Sequence, residues 1–248
     1  MRARARVVAE ADGRGGTRLT RMRGETPLLL RRTGPAGGPA TVHLVGGAAG
    51  PLGGDDLRLD LEVGPGATLC LGTVAASVAL PARSGAGSRF TVRATVAGGG
   101  TLHWLPEQTV AAARCRHRTD ATVELAESAT LLWRDELVCG RHAEPAGEVE
   151  VSTRVRYADR PLLHQTLAVG GAPGWDGPAV LGGAKATGSL LRVGPDAATA
   201  PRVIAPTAVR VPLTGPACLV VATADSAHLL RGYLSGAAGP ECGPRCSG

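Results

Sequence analysis

Apolar and polar positions alternate with a period of two along several stretches of the chain. Leu57, Leu59, Leu61 and Val63 are interleaved with Arg58, Asp60 and Glu62. Val149, Val151, Thr153, Val155 and Tyr157 stand against Glu150, Ser152, Arg154 and Arg156, and Phe90, Val92, Ala94 and Val96 form a third run. Side chains along a strand point to opposite faces in turn, so each run predicts a strand with one buried and one wet face.

A short unit recurs between these runs. Its copies are Val63-Gly-Pro-Gly-Ala67-Thr68-Leu69, Val96-Ala-Gly-Gly-Gly100-Thr101-Leu102 and Leu125-Ala-Glu-Ser-Ala129-Thr130-Leu131, at offsets of 33 and 29 residues. Leu213-Thr-Gly-Pro-Ala217-Cys218-Leu219 is a looser fourth. In each, an aliphatic residue ends a strand, three turn-forming residues follow, and a small residue opens the next strand. Repeated hairpins of this kind predict an all-β body: stacked hairpins in a superhelical scaffold, each layer covering its neighbour's apolar face.

Helix is scarce, about two short segments. Residues 106–114 either start a helix at Pro106 or run extended, since Thr109 and Val110 favour strands. Residues 222–234 predict a short helix with Asp225 as N-cap. The stretch 170–186 around Trp175 is rich in glycine and proline and reads as a long loop. The expected organisation is one domain over residues 1–235 and a flexible tail over 236–248.

Composition supports this picture. Gly 36 and Pro 18 together make 54 of 248 residues, which excludes a helical bundle, while 44% hydrophobic content suffices for a core. The apolar runs are a few residues long, so no bilayer-spanning segment is expected. No apolar leader segment follows the Arg-rich start, and the six cysteines are expected to be reduced thiols in a cytoplasmic protein.

The net charge of +6 sits at the start of the chain: residues 1–32 hold nine Arg and three acids, and the remainder is balanced at 18 and 18. A neutral body argues against a nucleic-acid groove. Arg2, Arg4, Arg6, Arg18, Arg21 and Arg23 read as a solvated edge strand or as a strip that meets a partner.

Catalytic motifs are missing from the sequence: no phosphate-binding loop, His-Glu-x-x-His, Gly-x-Ser-x-Gly or Cys-x-x-Cys occurs. His103, Cys115, His117, Cys139 and His142 are metal-ligand residue types, but their spacing matches no structural site. Of these, His103, Cys115 and His117 are the weak metal candidates. Flanking arginines predict electropositive thiols at Cys115 and Cys139, and Cys242 and Cys246 offer only a transient metal contact. Asp55 is placed to bond back to turn amides within Gly53-Gly54-Asp55-Asp56. Arg141, beside Gly140, either locks its turn by pairing with Glu136 or a more distant acid, or faces a partner. Trp104 and Trp133 read as core and Trp175 as an interface candidate.

Several segments together resemble the urease accessory protein UreD (UreH) family. They are His43-Leu-Val-Gly-Gly47, Gly53-Gly54-Asp55-Asp56-Leu57, Thr73-Val-Ala-Ala76, Leu102-His-Trp-Leu-Pro-Glu-Gln108 and Leu131-Leu-Trp-Arg-Asp-Glu-Leu-Val-Cys-Gly-Arg141. The resemblance is clear from about Pro27 to Glu150 and thinner to about residue 235. It implies a non-catalytic nickel-insertion chaperone with an all-β superhelical scaffold. The implied partners are apo-urease, a UreF-like accessory protein and, through it, a UreG-like GTPase, with no nucleic acid and no membrane. It further implies an internal passage for transient Ni²⁺ and no tightly bound cofactor. Asp55, Asp56, Glu107 and Asp135 are the candidates for lining the passage, and Arg141 and Trp175 for meeting a partner. Two alternatives stay open at this point: an unrelated all-β protein-binding module without a metal role, and a metal-dependent or thiol enzyme on the same strands.

Overall fold

The computed structural model describes residues 1–35 and 37–236. Strands β1 (Arg2–Ala11), β2 (Thr17–Gly24), β3 (Leu28–Arg32) and β4 (Ala40–Gly46) open the chain. A first coil follows as β5 (Asp56–Val63), β6 (Thr68–Thr73) and β7 (Ser77–Ala79), and a second as β8 (Ser88–Val96), β9 (Thr101–Leu105) and β10 (Thr109–Ala111). A third begins with β11 (Arg116–Leu125) and β12 (Thr130–Val138), followed by β13 (Glu148–Tyr157) and β14 (Arg160–Val169). The chain closes with β15 (Ala186–Val193), β16 (Arg202–Ala205), β17 (Ala208–Pro212), β18 (Ala217–Ala224) and α1 (Ala227–Gly236).

Two sheets enclose the core. One has seven strands in the order β14-β13-β11-β8-β5-β1-β2; the other has eleven strands, nine of them in the order β16-β17-β18-β15-β12-β9-β6-β4-β3, with β7 and β10 off that path. Within the first, β5, β8, β11 and β13 pair in parallel; within the second, β4, β6, β9 and β12 do so. The architecture is therefore all-β and stacked, as the sequence predicts, with one difference. The recurring turns do not close antiparallel hairpins. Each carries the chain from one sheet to the other, and successive coils then lie in parallel register.

The turns share one backbone solution. Their third residue is left-handed in all three copies: Gly66 at φ 66°, Gly99 at 69° and Ser128 at 64°. Glycine takes that conformation without cost; at Ser128 the side chain compensates by accepting a hydrogen bond from the Gly99 amide. The small residue after each turn is buried, as Ala67, Gly100 and Ala129. The fourth, looser copy differs in kind: it joins β17 to β18, which are antiparallel neighbours in one sheet.

The alternating apolar positions fill the space between the sheets, with Leu59, Leu61, Val92, Ala94, Val123 and Val155 buried on one side and Leu69, Leu102 and Leu131 on the other. Trp104 and Trp133 belong to this core and stack with ring centroids 5.2 Å apart.

Of the two short helices expected, the described residues hold one: residues 106–114, open between helix and extended chain, take the extended form and hold the strand β10. The C-terminal helix starts at Ala227, and its cap is Ser226, whose Oγ accepts from the Leu229 amide at 3.2 Å; Asp225 stands one residue too early. Helix α1 buries Leu230 and Leu234 against the second sheet. The arginine-bearing segments also divide. Strand β1 is internal, burying Ala3, Ala5, Val7 and Ala9 and turning Arg2, Arg4 and Arg6 outward, and only β2, with Arg18, Arg21 and Arg23, is an edge. No helix among the described residues is long and apolar enough to cross a membrane. The tail beyond Gly236, with Cys242 and Cys246, lies outside the described residues.

Candidate functional site

The parallel register sets residues of successive coils side by side, and their character changes along each row. One row of the first sheet reads Leu57, Phe90, Thr119, Val151, Leu167; the next reads Leu59, Val92, Ala121, Thr153, Gln165. In the second row the inward side chains become small or polar toward β13 and β14 and no longer fill the space between the sheets. A cavity of about 620 Å³ results, lined among others by Trp104, Glu107, His117, Asp135, Glu136 and Arg141.

Asp135 reaches this cavity because it occupies the inward phase of β12, after Leu131 and Trp133. Its Oδ2 accepts from Trp133 Nε1 at 2.9 Å and from Thr153 Oγ1 at 2.9 Å. Burial raises its pKa, because low-dielectric surroundings penalise the charge, and these hydrogen bonds oppose the rise. His117 is buried, with Nδ1 2.8 Å from Ser88 Oγ and Nε2 3.1 Å from Thr119 Oγ1. Burial pushes its pKa down to about 4, so the ring is neutral at pH 7.

Glu136 and Glu107 form the acidic end of the cavity. Glu136 is buried, and Arg231 of α1 donates from Nε to both of its oxygens, at 2.6 and 2.9 Å. Arg231 also donates from Nη1 and Nη2 to Glu107, at 3.1 and 3.2 Å. Burial on its own would lower the pKa of this guanidinium; the bonds to Glu136 and Glu107 outweigh that and raise it. Arg134 is a second cation nearby, with Nε 3.7 Å from Glu136 Oε1.

The remaining candidates lie apart. Asp55 is buried outside the cavity, accepting from the Leu52 amide at 2.9 Å, the turn contact expected of it, and from the Met1 amine. Asp56 lines a smaller outer cleft of about 270 Å³ with Arg2, Arg4, Arg58, Arg89 and Arg93. Trp175 is half-buried and packs on a second apolar cluster that includes Cys115 and Cys139. Those two thiols are not electropositive. Burial, aided at Cys115 by Glu148 and Glu144, pushes Cys115 to about 11, and burial outweighs Lys185 to push Cys139 to about 11. Their arginine neighbours in sequence, Arg114, Arg116 and Arg141, are exposed while the thiols are buried.

His103 is largely buried, with Nδ1 3.6 Å from Cys70 Sγ, and burial lowers its pKa. Among the described residues no three His, Cys, Asp or Glu side chains are grouped to hold a metal ion. Arg141 does not lock to Glu136. It lies at the cavity rim, 59% exposed, and its Nε donates to Glu144 at 2.6 Å. Glu136 is taken instead by Arg231, which the sequence reading missed. The available signal was a single arginine in an otherwise apolar helix, Ala-His-Leu-Leu-Arg-Gly-Tyr-Leu.

The site therefore offers two carboxylates tied to a guanidinium, a third held by Trp and Thr donors, and a neutral imidazole, in a largely apolar chamber. Such groups can touch a hydrated cation in passing without enclosing it.

Comparison with known proteins places the chain in a family. The model of the family described as UreD urease accessory protein matches residues 1–236. Urease accessory protein UreD 3 of Streptomyces griseus is 50% identical over 242 residues, covering 94% of this chain and 94% of its own. Urease accessory protein UreD of Streptomyces coelicolor is 46% identical over 242 residues, covering 96% and 95%. The UreD protein of a Parafrankia strain is 44% identical over 262 residues, covering 96% and 88%.

Proposed function

The chain belongs to the UreD urease accessory protein family, and from that premise we propose that it is a non-catalytic scaffold for nickel insertion into urease. Membership carries a role in urease maturation and removes the unrelated β-module as an alternative. In the finer reading, the chain binds apo-urease and a UreF-like accessory protein in the cytoplasm. A UreG-like GTPase, recruited through the UreF-like partner, delivers Ni²⁺ as cargo. The ion crosses the cavity between the sheets and no cofactor stays bound.

The observation that supports this most is the cavity wall. Asp135, His117, Glu107 and Glu136 all reach it, yet each is already engaged by a protein partner. A conduit needs that property: donors that lower the cost of passing an apolar chamber, with none free to hold the ion. Arg141, exposed at the rim, is the candidate for contact with a partner.

The test is complementation of a urease gene set that lacks its own UreD. The chain is expected to co-purify with the UreF-like protein and apo-urease and to restore nickel content and urease activity. Thr119→Phe, which narrows the cavity, is expected to leave co-purification intact and lower the nickel per active site. Full nickel loading by a folded Thr119→Phe chain contradicts the conduit, and failure of the parent chain to co-purify contradicts the scaffold.

A further inference from the structure

Five oxygen atoms from three residues converge on one guanidinium. Arg231 donates to Glu136 Oε1 and Oε2 at 2.6 and 2.9 Å, to Glu107 Oε1 and Oε2 at 3.1 and 3.2 Å, and to Gln108 Oε1 at 3.4 Å. Two carboxylates and an amide oxygen around one positive centre is also a donor set for a divalent cation. The charge there is covalently fixed, because Arg231 sits on α1, whose Leu230 and Leu234 are fully buried. Arg134 cannot replace it alone: it stands 3.7 Å from Glu136 and spends its Nη2 on the carbonyls of Leu105 and Pro106.

We propose, resting on the conduit reading above, that Arg231 is a built-in counterion. Its guanidinium occupies the place between Glu107 and Glu136 that a divalent cation would take, and so keeps the acidic end of the cavity from trapping the ion in transit. Without it, Glu136, whose side chain is 1% exposed, is left with Arg134 at 3.7 Å, and Glu107 beside it loses its ion pair with Arg231. A dication from solution is one relief open to that pair. With it, both carboxylates are paired and stay polar enough to ease an ion past, while offering no vacant position.

The test uses the purified full-length chain with Cys242 and Cys246 replaced by Ser, titrated calorimetrically with NiCl₂ alone. Arg231→Met keeps the stem packed on α1 and removes the charge. It is expected to acquire one Ni²⁺ per chain, bound on the order of tenfold or more tightly than by the parent. Adding Glu107→Gln and Glu136→Gln is expected to return the affinity to the parental level. Arg231→Lys, which keeps the charge, is expected to bind as the parent does. A folded Arg231→Met chain with parental affinity overturns the proposal. If Arg231→Met loses cooperative melting, recovery in 1 mM NiCl₂, a concentration roughly that of weak metal sites, supports the proposal; no recovery makes Arg231 a structural tie and overturns it. These readings need neither urease nor accessory proteins, so they stand apart from the conduit: a parent chain that fails to load urease refutes that reading and leaves the affinities as they are.

Discussion

Acidification should destabilise this protein through His117 before most carboxylates respond. The ordinary value of 6.5 applies to the unfolded chain, and burial holds the folded group at about 4 despite its bond to Ser88. Because the folded value is depressed, the unfolded chain binds the extra proton between those two values. His117 therefore costs no stability above pH 7 and progressively more as the pH falls. Integrating the two titrations from pH 7.5 to pH 5 gives a loss of about 2 kcal/mol. For a chain of this size that is roughly 4–8 °C in melting temperature. Asp135 acts in the opposite sense, since burial raises its carboxyl and makes the folded chain the better proton acceptor. A comparison isolates His117: melting curves of the parent and of His117→Asn, which keeps a polar partner for Ser88, at half-unit steps from pH 7.5 to 5. The parent should fall the more steeply by the amount given. Parallel curves for the two proteins would refute the assignment of a buried, neutral imidazole at this position.

Three further outcomes are expected. Glu136→Ala, which leaves Arg231 with Glu107, should cost about 2 kcal/mol, below the range for breaking a fully buried pair because Arg231 is 28% exposed and keeps Glu107; calorimetric melting at the parental temperature rejects the pair. Cys115 and Cys139, pushed to about 11, should resist iodoacetamide at pH 8 in the folded chain and react once it is unfolded, as read by peptide mass mapping; native-state labelling at the rate of a free thiol contradicts their burial. Arg141→Ala should leave the melting temperature unchanged, since its partner Glu144 is local in sequence and Arg141 is exposed. Lost affinity for the UreF-like protein in that variant would place Arg141 in the interface, and a large melting shift would return it to a structural role.

The strands around Leu57–Val63, Phe90–Val96 and Val149–Tyr157 were legible because burial on one face imposes a two-residue period that needs no knowledge of the partner strand. The turns were legible as turns, but not their destination. Gly64-Pro65-Gly66 closes a hairpin or bridges two sheets with the same residues, and only the pairing of β5 with β8, more than thirty residues on, decides between them. Asp135, named from the resemblance, was also readable from the pattern: extending the phase of Leu131 and Trp133 by two residues turns it inward. The Arg231–Glu136 pair was not, since its partners stand 95 residues apart and the arginine comes from a helix whose docking angle the local sequence does not encode. Glu136 next to Gly140-Arg141 pointed instead to a local pair, and the turn satisfied Arg141 with Glu144.

The parallel register has a bearing on how such a chain can change length. Every inward side chain of β8 and β11 is aligned with counterparts two coils deep, so one residue gained or lost inside either strand would turn its whole apolar set outward and drop the polar set into the core. Insertions and deletions are then expected in the segments between strands, the longest of which include residues 80–87, 139–147 and 170–185. Diversification of this scaffold is therefore expected to proceed by two separate routes: single substitutions along a rung, which retune the chamber, and length changes in those segments, which leave the rungs in register.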